Sequence, residues 1–147
     1  MSRLYVLAGR TGNGKTEYLN RVKNESPQTV RIVSALDYAS HEALVRELYN
    51  LVQDSSYRSI AIDDYEVKLI KSWGDKIIDE EYRKCLSVLA GFSDSFDVDI
   101  IAAVGLKREA DKDDSSYYDK ANLRSPVVTE EADKTIFIKQ GRIKEVK

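Results

Sequence analysis

The sequence predicts an α/β fold: a mostly parallel central sheet, helices on both of its faces, and a C-terminal β-hairpin. Three observations point there. Short β-rich runs alternate with stretches of helical periodicity along the chain, the signature of strand–helix–strand crossovers. The run Ile100-Ile101-Ala102-Ala103-Val104 is apolar without alternation, as a strand covered on both faces requires. Turn residues separate nearly every run from the next. With 147 residues, the chain makes one domain spanning 1–147.

The elements follow in order. Residues 4–8 form a short apolar strand that stops at Gly9. Residues 16–23 are helical, and the segment 24–28, with Pro27, breaks that helix. Residues 29–34 are β-rich. Ser40 is an N-cap for a helix over 41–52, whose apolar positions Ala43, Leu44, Leu48, Leu51 and Val52 share a face. Residues 59–62 form a third strand, stopped by Asp63-Asp64. An amphipathic helix is expected over 75–90, with Ile78, Tyr82, Cys85, Leu86 and Leu89 on one side. Residues 98–104 form the most buried strand. Residues 107–120, rich in charge, tyrosine and serine, read as a mobile loop. The runs 135–138 and 143–146 flank Gln140-Gly141 as a hairpin.

Composition excludes several classes of function. The net charge is −2, so the chain is no strongly basic nucleic-acid coat. A single cysteine, Cys85, can neither close an internal disulfide nor complete a cysteine-based zinc site. The only histidine, His41, excludes a histidine-rich metal centre and is expected at the surface of its helix's first turn. No apolar run reaches the ~20 residues of a membrane-spanning helix. A reducing, cytoplasmic setting is the expectation.

The strongest motif is Gly9-Arg10-Thr11-Gly12-Asn13-Gly14-Lys15-Thr16, which fits G-x-x-x-x-G-K-[ST] and lies between a strand and a helix. Glycines let backbone N–H groups close around a phosphate, and the helix N-terminus adds positive potential. Lys15 supplies a charge for the β- and γ-phosphates, and Thr16 a hydroxyl for Mg²⁺. Ser59-Ile60-Ala61-Ile62-Asp63-Asp64 is an apolar strand ending in acid, and Asp63 is the expected second contact to Mg²⁺ or its water shell. Both elements predict a nucleoside triphosphate with Mg²⁺ as ligands. Acids such as Asp63 and Asp64 also end strands or cap turns, and it is the glycine loop beside them that favours the metal role.

Three further segments resemble the RecA-like core of hexameric replicative helicases, the DnaB family. Ile32-Val33-Ser34-Ala35-Leu36-Asp37 is similar to that family's second strand, which ends in a water-activating glutamate. The resemblance implies that role for Asp37, as a shorter acid. Asp99 to Arg108 is similar to the family's sensor strand, with Gly105 where a glutamine or histidine feels the γ-phosphate. Asn122-Leu123-Arg124 and Glu130-Glu131-Ala132-Asp133 resemble the passage from a DNA-facing loop into the next strand. The similarity runs over roughly 4–146. It implies a RecA-like P-loop NTPase with Lys15, Asp37 and Asp63 as catalytic groups, and Arg142 as a candidate contact to a neighbouring subunit's phosphates. It also implies single-stranded DNA, a homo-oligomer or a replicative helicase as partners. The expected function is slow ATP hydrolysis linked to DNA replication or recombination.

Charge does not mark a DNA surface. Residues 107–120 carry a net −1, and the segment from Lys134 a net +4. Tyr117 and Tyr118 can stack on bases or cover a core edge. Two other functions fit the same residues. One is a non-catalytic, helicase-like module that loads, assists or inhibits a replicative helicase, in keeping with Gly105. The other is a nucleotide kinase, whose arginine-rich lid finds only Arg108 in the 107–120 segment.

Overall fold

A computed structural model describes residues 3–112 and 115–146. Asp113 and Asp114 of the charged segment and Lys147 of the basic tail lie outside the described residues. The chain runs β1 (Leu4–Ala8), α1 (Lys15–Glu25), β2 (Val30–Ser34), α2 (His41–Val52), β3 (Ser59–Asp63), α3 (Tyr65–Ser72), α4 (Asp79–Phe96), β4 (Asp99–Val104), α5 (Val127–Glu131), β5 (Lys134–Lys139) and β6 (Arg142–Val146). The strands form one six-stranded sheet in the order β2-β3-β4-β1-β5-β6. All neighbours are parallel except β5 and β6, which pair antiparallel across Gln140-Gly141. Both turn residues have positive φ, 49° and 79°, the backbone that a two-residue hairpin of this hand needs.

Period two along the strands divides the core. Leu4, Val6 and Ala8 of β1, with Ile100, Ala102 and Val104 of β4, face a cluster that includes Leu44 and Leu48 of α2, Tyr65 and Leu69 of α3, Leu86 and Leu89 of α4, and Val127 and Val128 of α5. Leu7, Ala61, Ile101 and Ile138 face the other way and meet Leu19 of α1. Helices therefore cover both faces, as the unbroken apolar run of β4 implies.

This asymmetry follows from the strand order. The connection from β1 to β2 runs outward past β4 and β3, whereas every later parallel crossover runs back. Right-handed crossovers of opposite direction place their helices on opposite faces. At the carboxyl ends of β1 and β4 the chain thus departs to opposite sides, and such a divergence opens a crevice for ligands.

Three helical segments differ from the sequence reading. The helix expected over 75–90 is displaced to Asp79–Phe96, because Gly74 and Asp75 both adopt positive φ (72° and 61°) and form the preceding turn. Gly91 does not stop it. The helix ends at Asp97, left-handed at φ 55°. The eight-residue α3 starts directly after the acids of β3, without a capping side chain. The single turn α5 starts after Pro126, a residue suited to helix entry. The 107–120 segment contains a 3₁₀ turn over Arg108–Lys112, and it buries Ala110 and Tyr117. Among the described residues, no helix is long and apolar enough to cross a membrane.

Candidate functional site

The glycine loop lies at the crevice between β1 and β4. Gly9 N–H still bonds Val104 O at 3.2 Å, so the loop leaves the sheet only after that residue. A Cβ on Gly9 would lie 2.8 Å from Ile138 Cγ2 and 2.9 Å from its carbonyl oxygen, which explains the glycine as a close approach of two segments of the chain. Gly12 and Gly14 have φ of 84° and 97°, a backbone that side-chain-bearing residues rarely adopt. Among the described residues, the N–H groups of Gly12, Gly14, Lys15 and Thr16 donate to no protein acceptor, and Tyr18 N–H to Gly14 O is the first bond of α1. Unpaired amides at the head of a helix form an anion nest.

The loop is braced from three sides. Tyr117, fully buried, accepts from Arg10 N–H at 3.1 Å and donates to Ile138 O at 2.7 Å. Asn13 Oδ1 accepts from Gln140 N–H at 3.2 Å, and its carbonyl from Gly141 N–H at 3.1 Å, so the hairpin turn is docked on the loop. The Arg10 guanidinium turns away to Asp111 at 2.8 Å, and Thr11 is exposed at the rim.

The reactive groups gather at the same end of the sheet. Lys15 Nζ donates to the carbonyls of Gly9 (2.6 Å) and Val104 (3.2 Å). Burial pushes its pKa down, and the nearby Glu66 carboxylate opposes that shift. Thr16 Oγ1 donates to Asp63 Oδ2 at 2.7 Å. The other Asp63 oxygen accepts from Asp64 N–H at 3.0 Å. Residues of the loop, with Lys15, Thr16, Asp63, Asp64 and Val67, line a cleft of about 230 Å³. Burial, and then the charge of Asp63, raise the pKa of Asp64. Two hard oxygens, from Thr16 and Asp63, fit Mg²⁺, which takes few protein ligands and keeps several waters and phosphate oxygens.

Lys15, Thr16 and Asp63 are thus brought together. Asp37 is not among the residues lining the cleft. It ends a short 3₁₀ turn after β2 and is exposed. Arg142 is exposed on the hairpin. His41 is half-buried rather than at the surface, with Nε2 3.0 Å from the Tyr65 hydroxyl.

Two residues beside the loop carry no local motif. Glu66 is 1% exposed, and its carboxylate accepts from Tyr82 OH at 2.6 Å, Gly105 N–H at 3.1 Å and Arg124 at 3.4 Å. Burial raises its pKa, and these donors oppose the rise. Arg124 also explains Gly105. A Cβ there would meet the guanidinium carbon at 2.9 Å, so the guanidinium occupies the space a side chain at 105 would enter. Only the Asn-Leu-Arg segment hinted at Arg124, and nothing in the sequence pattern marked Glu66.

No protein-family model matches the chain, and no curated protein matches it either. The fold and the cleft define an α/β protein with a glycine loop, a threonine hydroxyl and an aspartate carboxylate together at the carboxyl edge of a mostly parallel sheet.

Proposed function

We propose that the chain is a RecA-like P-loop NTPase that binds ATP with Mg²⁺ and hydrolyses it slowly. One observation carries this reading: the Thr16 hydroxyl and the Asp63 carboxylate meet at 2.7 Å, at the head of the helix where the loop amides are unpaired. The amides of Gly12, Gly14, Lys15 and Thr16 hold the β-phosphate, and Lys15 exchanges its two carbonyl partners for phosphate oxygens. Thr16 and Asp63 hold Mg²⁺, which, when bound, neutralises charge on the phosphates. Asp63 also fixes the turn at Asp64 through its second oxygen. Slow turnover follows from Gly105, which has no side chain to offer the γ-phosphate, and from the exposed position of Asp37 outside the cleft.

The order of the segments resembling a DnaB-type core supports work on DNA, in replication or recombination. Gly105, with no side chain to sense a γ-phosphate, favours a second reading, a non-catalytic, helicase-like module that binds nucleotide and loads, assists or inhibits a replicative helicase. Hydrolysis measured with and without single-stranded DNA, beside Lys15→Ala, separates the two. The first reading expects turnover well below about 1 s⁻¹ alone, raised by DNA and lost in the variant. Turnover that DNA leaves unchanged favours the module. Fast turnover without any partner contradicts both.

A further inference from the structure

We propose that the seam between α2 and α4 is a second ligand site, one that takes a small carboxylate with a ring-sized apolar body. It shares no lining residue with the phosphate cleft and does not depend on how that cleft is read.

The two helices lie side by side and run in the same direction, so their residues meet in successive pairs. At one end His41 Nδ1 lies 3.8 Å from Cys85 Sγ. At the other the Tyr49 ring packs against Phe92 and Phe96, with centroids 6.2 and 6.1 Å away. Between these contacts the register brings Val45 to Val88. Two valines are too short to close helices at a usual spacing of about 8–10 Å, and a cavity of about 430 Å³ stays open there. Small-molecule sites begin at about 300 Å³.

The floor of this cavity asks for an apolar ligand body. His41, Val45 and Cys85 are half-buried. The imidazole is already committed through Nε2 to the Tyr65 hydroxyl at 3.0 Å. Burial pushes the Cys85 thiol up to about 11, so it stays neutral. Val88 is 40% exposed although it faces the cavity. A ligand's carbon frame would dry that surface, which is favourable.

The rim sets the sign of the ligand. Arg46 of α2 and Lys84 of α4 line the cavity from the two helices, against one acid, Glu42, and all three are exposed. Among the described residues the Arg46 guanidinium has neither hydrogen bond nor ion pair. Lys84 holds the exposed Glu81 at 3.4 Å, a surface pair of small worth. A guanidinium bonded to no protein carboxylate suits a ligand carboxylate, which it can grip with two N–H groups.

The test is a titration of the full chain with 1-naphthoate, followed by amide NMR shifts. The uncharged 1-naphthalenemethanol, with the same rings, serves as its comparison. Saturable shifts confined to residues 41–49 and 81–92 are expected, with a Kd below about 1 mM. The alcohol is expected to bind at least about fivefold more weakly, and Arg46→Gln to weaken naphthoate by a similar factor. Glu42→Gln removes the one acid of the rim and is expected to tighten binding. Val88→Trp fills the cavity from an exposed position and is expected to abolish binding, with its free spectrum unchanged away from the seam. The proposal is overturned by a wild type without saturable shifts, by shifts centred elsewhere, or by an alcohol that binds as well as the acid. Unchanged or tighter binding in Arg46→Gln, unchanged or weaker binding in Glu42→Gln, or binding that survives Val88→Trp also overturns it. So does a wild type that sediments as a dimer beside a monomeric Val88→Trp, because a second copy then fills the seam.

Discussion

His41 shares a hydrogen bond with the buried Tyr65 hydroxyl and lies 3.8 Å, through Nδ1, from Cys85 Sγ. Burial lowers its pKa, and Glu42 opposes that shift only in part. An unfolded chain takes up the same proton near pH 6.5. As pH falls through that value, the unfolded state gains a proton that the folded state still refuses, so the contribution of His41 to stability declines on acidification. Glu66 acts in the opposite sense. Its raised pKa lets the folded state hold a proton to higher pH, so acidification across that window favours folding. Comparison with His41→Gln isolates the first effect. Urea denaturation at pH 7.5 and 5.5 is expected to show the advantage of the wild type over this variant shrinking at the lower pH. An advantage equal at both values contradicts the account. At this scale, what was legible was what a local motif encodes. Lys15, Thr16 and Asp63 belong to contiguous patterns, and they do converge. Glu66 was hidden because its partners Tyr82, Gly105 and Arg124 stand 16, 39 and 58 residues away in sequence. Asp64 was visible as an acid, but its left-handed turn is a property of the backbone that no spacing records.

The elements meet the glycine loop from unexpected directions. The hairpin of β5 and β6 does more than close the sheet edge, because its turn bonds Asn13 and its Ile138 carbonyl accepts from Tyr117. Tyr117 thereby ties the 107–120 segment, the loop and β5 into one frame. Tyr117→Phe leaves the Ile138 carbonyl and the Arg10 amide each without this partner, a loss of roughly 1–3 kcal/mol. The variant is expected to unfold at lower urea and to bind ATP analogues more weakly. Unchanged stability together with unchanged affinity would show that the brace is idle. The strands and α2 were legible because period two and the Ser40 cap are local signals, and the cap is present, with Ser40 Oγ accepting from Ala43 N–H at 3.1 Å. Helix α1 was legible too, expected over 16–23 and found at Lys15–Glu25, whereas α3, α4 and α5 were obscured for identifiable reasons. The α3 segment has no cap and only eight residues, and α5 is one turn long. The start of α4 depends on Gly74 and Asp75 both adopting positive φ, and its continuation past Gly91 depends on packing rather than propensity.

At the scale of the whole molecule, the strand order places β1 beside β4 and sends their continuations to opposite faces. The loop, Asp63, Asp64 and Gly105 therefore share one end of the sheet, although Gly105 stands 96 positions after Gly9 in sequence. Alternation of strand and helix predicted the class of fold, but not this order, which depends on long-range pairing. Polyphosphate binding at that end is what every proposed role of the cleft requires. Isothermal titration of the full chain with Mg–ATP, beside Lys15→Ala, tests it most directly. Saturable binding near one nucleotide per chain, weakened at least about tenfold in the variant, is the expected result. No saturable heat, or equal affinity in the two proteins, would contradict it.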